Sequence, residues 1–157
     1  MRAVAIDLDG VLGDTRPLWR DWLEDAARRF RSIAELVPSR LPGDRGEAAA
    51  ELDRWAAAGV GDWRAALARF AEDRAPVYLR ADAETTAALR RLETAGIRLG
   101  VFTDAPDSLA HVALAHLAAA RRVRVVETGS DALERLRDIL GPDTIVVRTR
   151  EELQGLL

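Results

Sequence analysis

The chain has no cysteine and no lysine. Without cysteine there is no disulfide framework, no thiol nucleophile and no thiolate metal site. All 23 basic residues are arginine, which together with the heavy use of alanine reads as GC-rich coding bias rather than function. Histidine is nearly absent too. His111 and His116 do not have the i, i+4 spacing that sets two ligands on one helix face, so neither is expected to bind metal or act as a base. His116 falls on an apolar stripe and is expected at the edge of the core. The net charge of −3 leaves no electrostatic footprint for nucleic acid. No apolar run approaches membrane-spanning length, and no leader pattern precedes the first apolar segment. Repeats and low-complexity segments are absent as well. The expectation is a cytoplasmic globular protein with neither nucleic acid nor membrane as partner. Its 157 residues suit one domain carrying a modest insertion.

What is present is concentrated at the start. The apolar run Ala3 to Ile6 ends in Asp7 and Asp9, followed by Gly10. Such a run reads as a buried parallel strand, and its carboxyl end is where open α/β sheets bind ligands. After Thr15 the period changes to that of a helix, with Trp19, Trp22, Leu23, Ala26 and Phe30 on one face. Asp44 caps a second helix that carries Leu52, Trp55 and Ala56, with Glu47 three residues on. Asp62 opens a third with Trp63, Ala66, Leu67 and Phe70, and Pro76 is expected to close it. From Asp82 onward helices alternate with strands at 97–102, 123–126 and 144–147. One helix is expected from about Asp107 to Ala120, another from Ser130 or Asp131 to Gly141, and a short one capped by Thr149. Strands joined by single helices imply right-handed crossovers and a parallel sheet. The predicted fold is α/β: a three-layer Rossmann-like parallel sheet of about four strands, shortened at its C-terminal side. Residues 1–15 and 77–157 form this core and 16–76 an all-helical cap, hinged near Gly13–Thr15 and Val77–Arg80. The aromatic residues concentrate in the helical segment, where their spacing predicts core packing; Trp19 and Trp22, with Arg16 and Arg20, lie nearest the Asp loop in sequence.

Two stretches in this order, Asp7-Leu8-Asp9-Gly10-Val11-Leu12 and Gly96-Ile97-Arg98-Leu99-Gly100-Val101-Phe102-Thr103-Asp104, resemble the haloacid dehalogenase superfamily, most of whose members are phosphatases. The resemblance implies roles residue by residue. Asp7 would attack phosphorus and form an aspartyl phosphate. Asp9 would protonate the leaving group and then activate water. Thr103 would hydrogen-bond a phosphate oxygen, and backbone N–H groups around Leu8, Gly10 and Asp104 would complete the cradle. Mg²⁺ would be held by Asp7 and the Asp9 carbonyl. The implied substrate is a small phosphorylated metabolite, because retention of Asp9 favours phosphoryl transfer over dehalogenation.

The chain departs from the family in its C-terminal third. No lysine supplies the third motif, and Arg135 and Arg137 lie on a helix outside the family pattern. After Val147 the sequence is Arg148-Thr149-Arg150-Glu151-Glu152, without the acidic pair that completes the Mg²⁺ shell. The charge thus missing matters, since each close like-charged pair costs about 4 kcal/mol at an effective dielectric of about 20. Three solutions remain open on the sequence alone. Glu127, Glu151 or Glu152 completes a metal shell, with Asp131 following Glu127 at a spacing that imitates the fourth motif. Alternatively, Arg148 or Arg150 stands in for the metal as a guanidinium. In the third, turnover is lost and the protein binds a ligand or a protein partner. A receiver-type signalling domain fits less well, because its phosphorylated Asp lies on a later strand and it needs a Lys.

Overall fold

The structure, a computed structural model, describes residues 1–156. Four strands, β1 (Ala3–Asp7), β2 (Arg98–Thr103), β3 (Val125–Thr128) and β4 (Thr144–Val147), form one parallel sheet in the order β3-β2-β1-β4. Strand β1 is central, and Ala3 to Ile6 are wholly buried. The strand's two faces differ in bulk. Ala3 and Ala5 belong to a small cluster with Phe102 and with Ala132, Leu136 and Leu140 of helix α6 (Ala132–Leu140). Val4 and Ile6 point the other way, into the large core.

That large core is continuous from the sheet into the helical segment 16–78. Helices α1 (Arg16–Phe30), α2 (Arg45–Trp55) and α3 (Trp63–Tyr78) join α4 (Ala83–Thr94) and α5 (Asp107–His116) in one apolar cluster. Helix α3 packs along α5. Trp19, Trp22 and Trp63 form a triad with centroids 5.6–6.5 Å apart, and Phe30 meets Trp55 edge-on at 5.5 Å. The tryptophans are therefore core, as their spacing predicts.

The expected caps are in place. Asp44, Asp62 and Asp82 accept the N–H groups of Glu47, Ala65 and Thr85, and Thr149 accepts that of Glu152 at the start of α7 (Arg150–Gln154). Several boundaries differ, β2 by one residue at each end. Helix α3 runs through Pro76 to Tyr78, because a proline in the exposed last turn forfeits only one hydrogen bond. Helix α5 stops at His116, where the chain turns through Ala118 at φ 55°. Strand β3 begins two residues later than expected, and its register pairs Glu127 with Phe102. Helix α6 begins at Ala132, after Asp131 at φ 60°. His116 is exposed rather than at the core edge, since the buried stripe of α5 is Leu109, Ala110, Ala113 and Leu114.

Candidate active site

Beyond β1 the chain makes one wide turn from Leu8 to Leu12, closed by the Gly13 N–H on the Leu8 carbonyl (3.2 Å). Gly10 sits at φ 110° in this turn, a conformation costly for any residue with a Cβ. Its N–H donates to the Gly13 carbonyl at 2.8 Å. It is thus engaged in the turn, not turned toward a ligand as the cradle expectation had it. The turn carries Asp9 back over the end of the sheet, beside Asp7 and Thr103, and the three expected side chains share one cleft of about 490 Å³.

Asp9 is held from every side. Its Oδ1 accepts the N–H and the hydroxyl of buried Thr15, each at 2.7 Å. Its Oδ2 accepts from Arg45 at 2.5 Å and from the Thr103 hydroxyl at 3.0 Å. Thr103 in turn accepts the Ala105 N–H at 3.2 Å. Asp104, expected to contribute its backbone, uses its carboxylate to accept the N–H and Nε of Arg45 at 3.0 and 2.9 Å. Leu8 is wholly buried beneath the turn.

Arg45 is the residue that sequence reasoning missed. Its side chain is only 4% exposed and bridges Asp9, Asp104 and the Thr15 hydroxyl (2.7 Å). It reaches the site from the first turn of α2, whose N-terminus is drawn onto the loop before α6. There the Ser130 hydroxyl donates to Asp44 at 2.6 Å, and a Cβ on Gly46 would lie 2.3 Å from the Ser130 nitrogen.

Asp7 has a different environment. Burial and the neighbouring Asp9 push its carboxyl up to about 6, while Arg148 and Arg16 pull the other way. Arg148 follows directly after Val147, the last residue of β4 and the partner of Ile6. Phe102 is the partner of Asp7 on β2. Arg148 lies 5.4 Å over the Phe102 ring and places Nη1 3.5 Å from Asp7 Oδ2. Arg150 is spent elsewhere, donating to the Val11 carbonyl at 3.1 Å.

Of the candidate acids for a metal shell, Asp131 lines the cleft with Glu134, near Arg137, whereas Glu127 and Glu152 are engaged in other contacts. Glu127 pairs with Arg135 at 3.2 Å, and Glu152 accepts the Arg148 N–H at 3.1 Å. Arg135 also holds the carbonyls of Thr128 and Ser130, a structural tie within the loop. Among the described residues no three acids or histidines gather closely enough to share a metal ion. Asp7, which lines the cleft together with Asp104, Asp131 and Glu134, already faces a cation. The donor set therefore does not fit Mg²⁺, although the family generally uses it.

A parallel sheet with an aspartate at the end of its first strand and a threonine at the end of its neighbour places the protein among open-sheet α/β proteins with a cleft at the strand ends. The comparisons narrow that class. A profile of the haloacid dehalogenase-like hydrolases matches residues 1–147, and the chain belongs to that family. Among solved structures, CbbY from Rhodobacter sphaeroides in complex with phosphate is 17% identical, with TM-score 0.65, covering 99% of this chain and 84% of that one. A variant of CbbY in complex with xylulose 1,5-bisphosphate gives 17% identity, TM-score 0.61 and the same coverages. A protein of Thermotoga maritima assigned as a β-phosphoglucomutase gives 18%, 0.55, 98% and 82%. No curated protein matches the sequence. Among the described residues, no helix is long and apolar enough to cross a membrane.

Proposed function

We propose that the protein is a phosphoric monoester hydrolase acting on a small phosphorylated metabolite, with Asp7 as nucleophile. The observation that carries this reading is the convergence of Asp7, Asp9 and Thr103 on one cleft at the carboxyl ends of β1 and β2. Asp7 attacks phosphorus, the P–O bond to the leaving group breaks, and Asp9 delivers a proton to the departing oxygen. Asp9 then takes a proton from water, which attacks phosphorus and breaks the bond to Asp7. With a carboxyl value of about 6, Asp7 is ionised at neutral pH, as a nucleophile must be. For Asp9 to move protons it must leave Arg45, and an incoming phosphate is the natural exchange partner for a buried guanidinium.

The remainder of the substrate has a place. A second cleft of about 630 Å³ joins the first at Arg16, Arg45 and Asp104. Trp19, Leu23, Leu41 and Pro42 make its apolar wall, with Arg20 at the side. A metabolite with an apolar face and a second acidic group suits that lining, and the CbbY complexes with phosphate and a sugar bisphosphate point to the same chemical class. In this reading residues 16–76 act as the cap that covers the substrate.

One observation favours a second reading, a protein that binds without turnover: Asp9 has both carboxylate oxygens occupied by protein donors. Hydrolysis of p-nitrophenyl phosphate separates the two. The hydrolase reading predicts turnover that both Asp7→Asn and Asp9→Asn abolish. Turnover at the level of the blank, or unchanged in Asp7→Asn, sinks it.

A further inference from the structure

We propose that this site binds its phosphate without a divalent cation, the Arg148 guanidinium occupying the role and the place that the metal has elsewhere in the family. The inference rests on the reading of Asp7 as the residue that meets the phosphate, but not on whether turnover follows. Three observations converge on it. Residue 148 follows Val147, the β4 partner of Ile6, and its Nη1 lies 3.5 Å from Asp7 Oδ2, so the side chain that stands there sets the charge beside Asp7. The side chain is not adrift at this end of the sheet. Its guanidinium is stacked over Phe102 and its backbone N–H is tied to Glu152, which holds the fork toward Asp7 in the cleft while leaving the side chain 57% exposed. Finally, Glu127 pairs with Arg135 and Glu152 with the Arg148 N–H, and although Asp131 and Glu134 line the cleft, no three described acids or histidines gather closely enough to hold a metal ion.

A guanidinium here does what a divalent ion does electrostatically, offsetting the repulsion between Asp7 and an incoming phosphate. It also adds directed N–H donors to the phosphate oxygens. It differs in being permanent: the cation needs no uptake, and a Mg²⁺ approaching Asp7 meets a like charge 3.5 Å from the carboxylate. Arg45, which lines the same cleft, supplies a second guanidinium to the phosphate once it is released from Asp9.

The test uses the purified full chain, inorganic phosphate as the anion and Mn²⁺ as a spectroscopic probe for the metal. Melting temperature is followed with phosphate in the presence of either Mg²⁺ or EDTA, because only binding to the native state stabilises. Wild type is expected to gain the same phosphate-dependent shift in both, and to leave the Mn²⁺ paramagnetic resonance signal of the free ion undiminished. Arg148→Ala should weaken phosphate binding about tenfold or more, the loss of a charge-assisted contact, without gaining metal. Arg148→Asp should bind Mn²⁺ and make phosphate stabilisation depend on it. The exposure of residue 148 makes both substitutions compatible with folding, and the melting curve without ligand verifies this. A phosphate shift seen only with Mg²⁺ in wild type, or Mn²⁺ binding in wild type that Asp7→Asn removes, overturns the inference. Phosphate binding without metal but no turnover would overturn the hydrolase reading and leave this one standing; metal-dependent turnover would do the reverse.

Discussion

Arg45 stands at the first position of α2, where a cation opposes the positive end of the helix dipole. That mismatch, directly after the capping Asp44, is the one signal in the sequence that could have singled it out. Its partners Asp9 and Asp104 lie 36 and 59 positions away along the chain, so no local pattern reveals them. Asp7, Asp9 and Thr103 were legible as candidates because they lie at strand ends; Arg148 was legible only as one of two arginines, and the structure distinguishes them by placing Arg148 beside Asp7 and Arg150 on the Val11 carbonyl. Removing Arg45 strands Asp9 in a nearly closed site, and Arg45→Ala is expected to lower stability by about 3 kcal/mol in urea denaturation. For Asp7 the folded value of about 6 lies above the ordinary 3.8. The native state therefore holds its proton more tightly, and this contribution to stability is present below about 3.8 and lost as pH rises through about 6. Asp7→Asn should raise the melting temperature at pH values well above 6, with the gain fading toward pH 4. In wild type the rate should climb as pH rises through about 6, and Arg148→Ala should move that midpoint upward because it removes an opposing charge. A rate profile flat across this range contradicts the assignment of Asp7 as nucleophile.

At the scale of elements, the capping aspartates and the apolar periodicity placed α1 to α4 and β1 nearly where they lie. The misplaced boundaries share a cause: β3, α5 and α6 end or start where tertiary contacts, not local propensity, decide. Arg124 donates to the Leu99 carbonyl before β3 begins, and the Arg135 fork shapes the turn into α6. Helix α2 is the element that bears on the site, since it carries Arg45 and is latched by Asp44 and Gly46 to Ser130. Alanine at position 46 would help the helix by propensity, yet its methyl meets the Ser130 backbone. The clash wins: Gly46→Ala should destabilise by about 1–3 kcal/mol. Hydrogen exchange should find the amides of α2 altered by phosphate while those of α3, packed along α5, stay unchanged.

Over the whole molecule, the helical segment and the sheet share one apolar core rather than two. Sequence patterning separated them because the period changes at Thr15 and again near Asp82, but periodicity says nothing about what a helix face packs against. All four tryptophans lie in the segment 16–78. Fluorescence therefore reports on that segment, and far-ultraviolet circular dichroism on the entire chain. The shared core predicts coincident unfolding by the two probes. An earlier fluorescence transition would mean that the helical segment melts as a separate unit.

The central claim is that Asp7 carries the phosphoryl group. Acid-quenched protein taken during turnover of p-nitrophenyl phosphate, then digested and weighed by mass spectrometry, tests it directly. The account predicts one added phosphoryl group on the peptide containing Asp7, absent from Asp7→Asn. Turnover with no adduct there, or with the adduct on another residue, would contradict it.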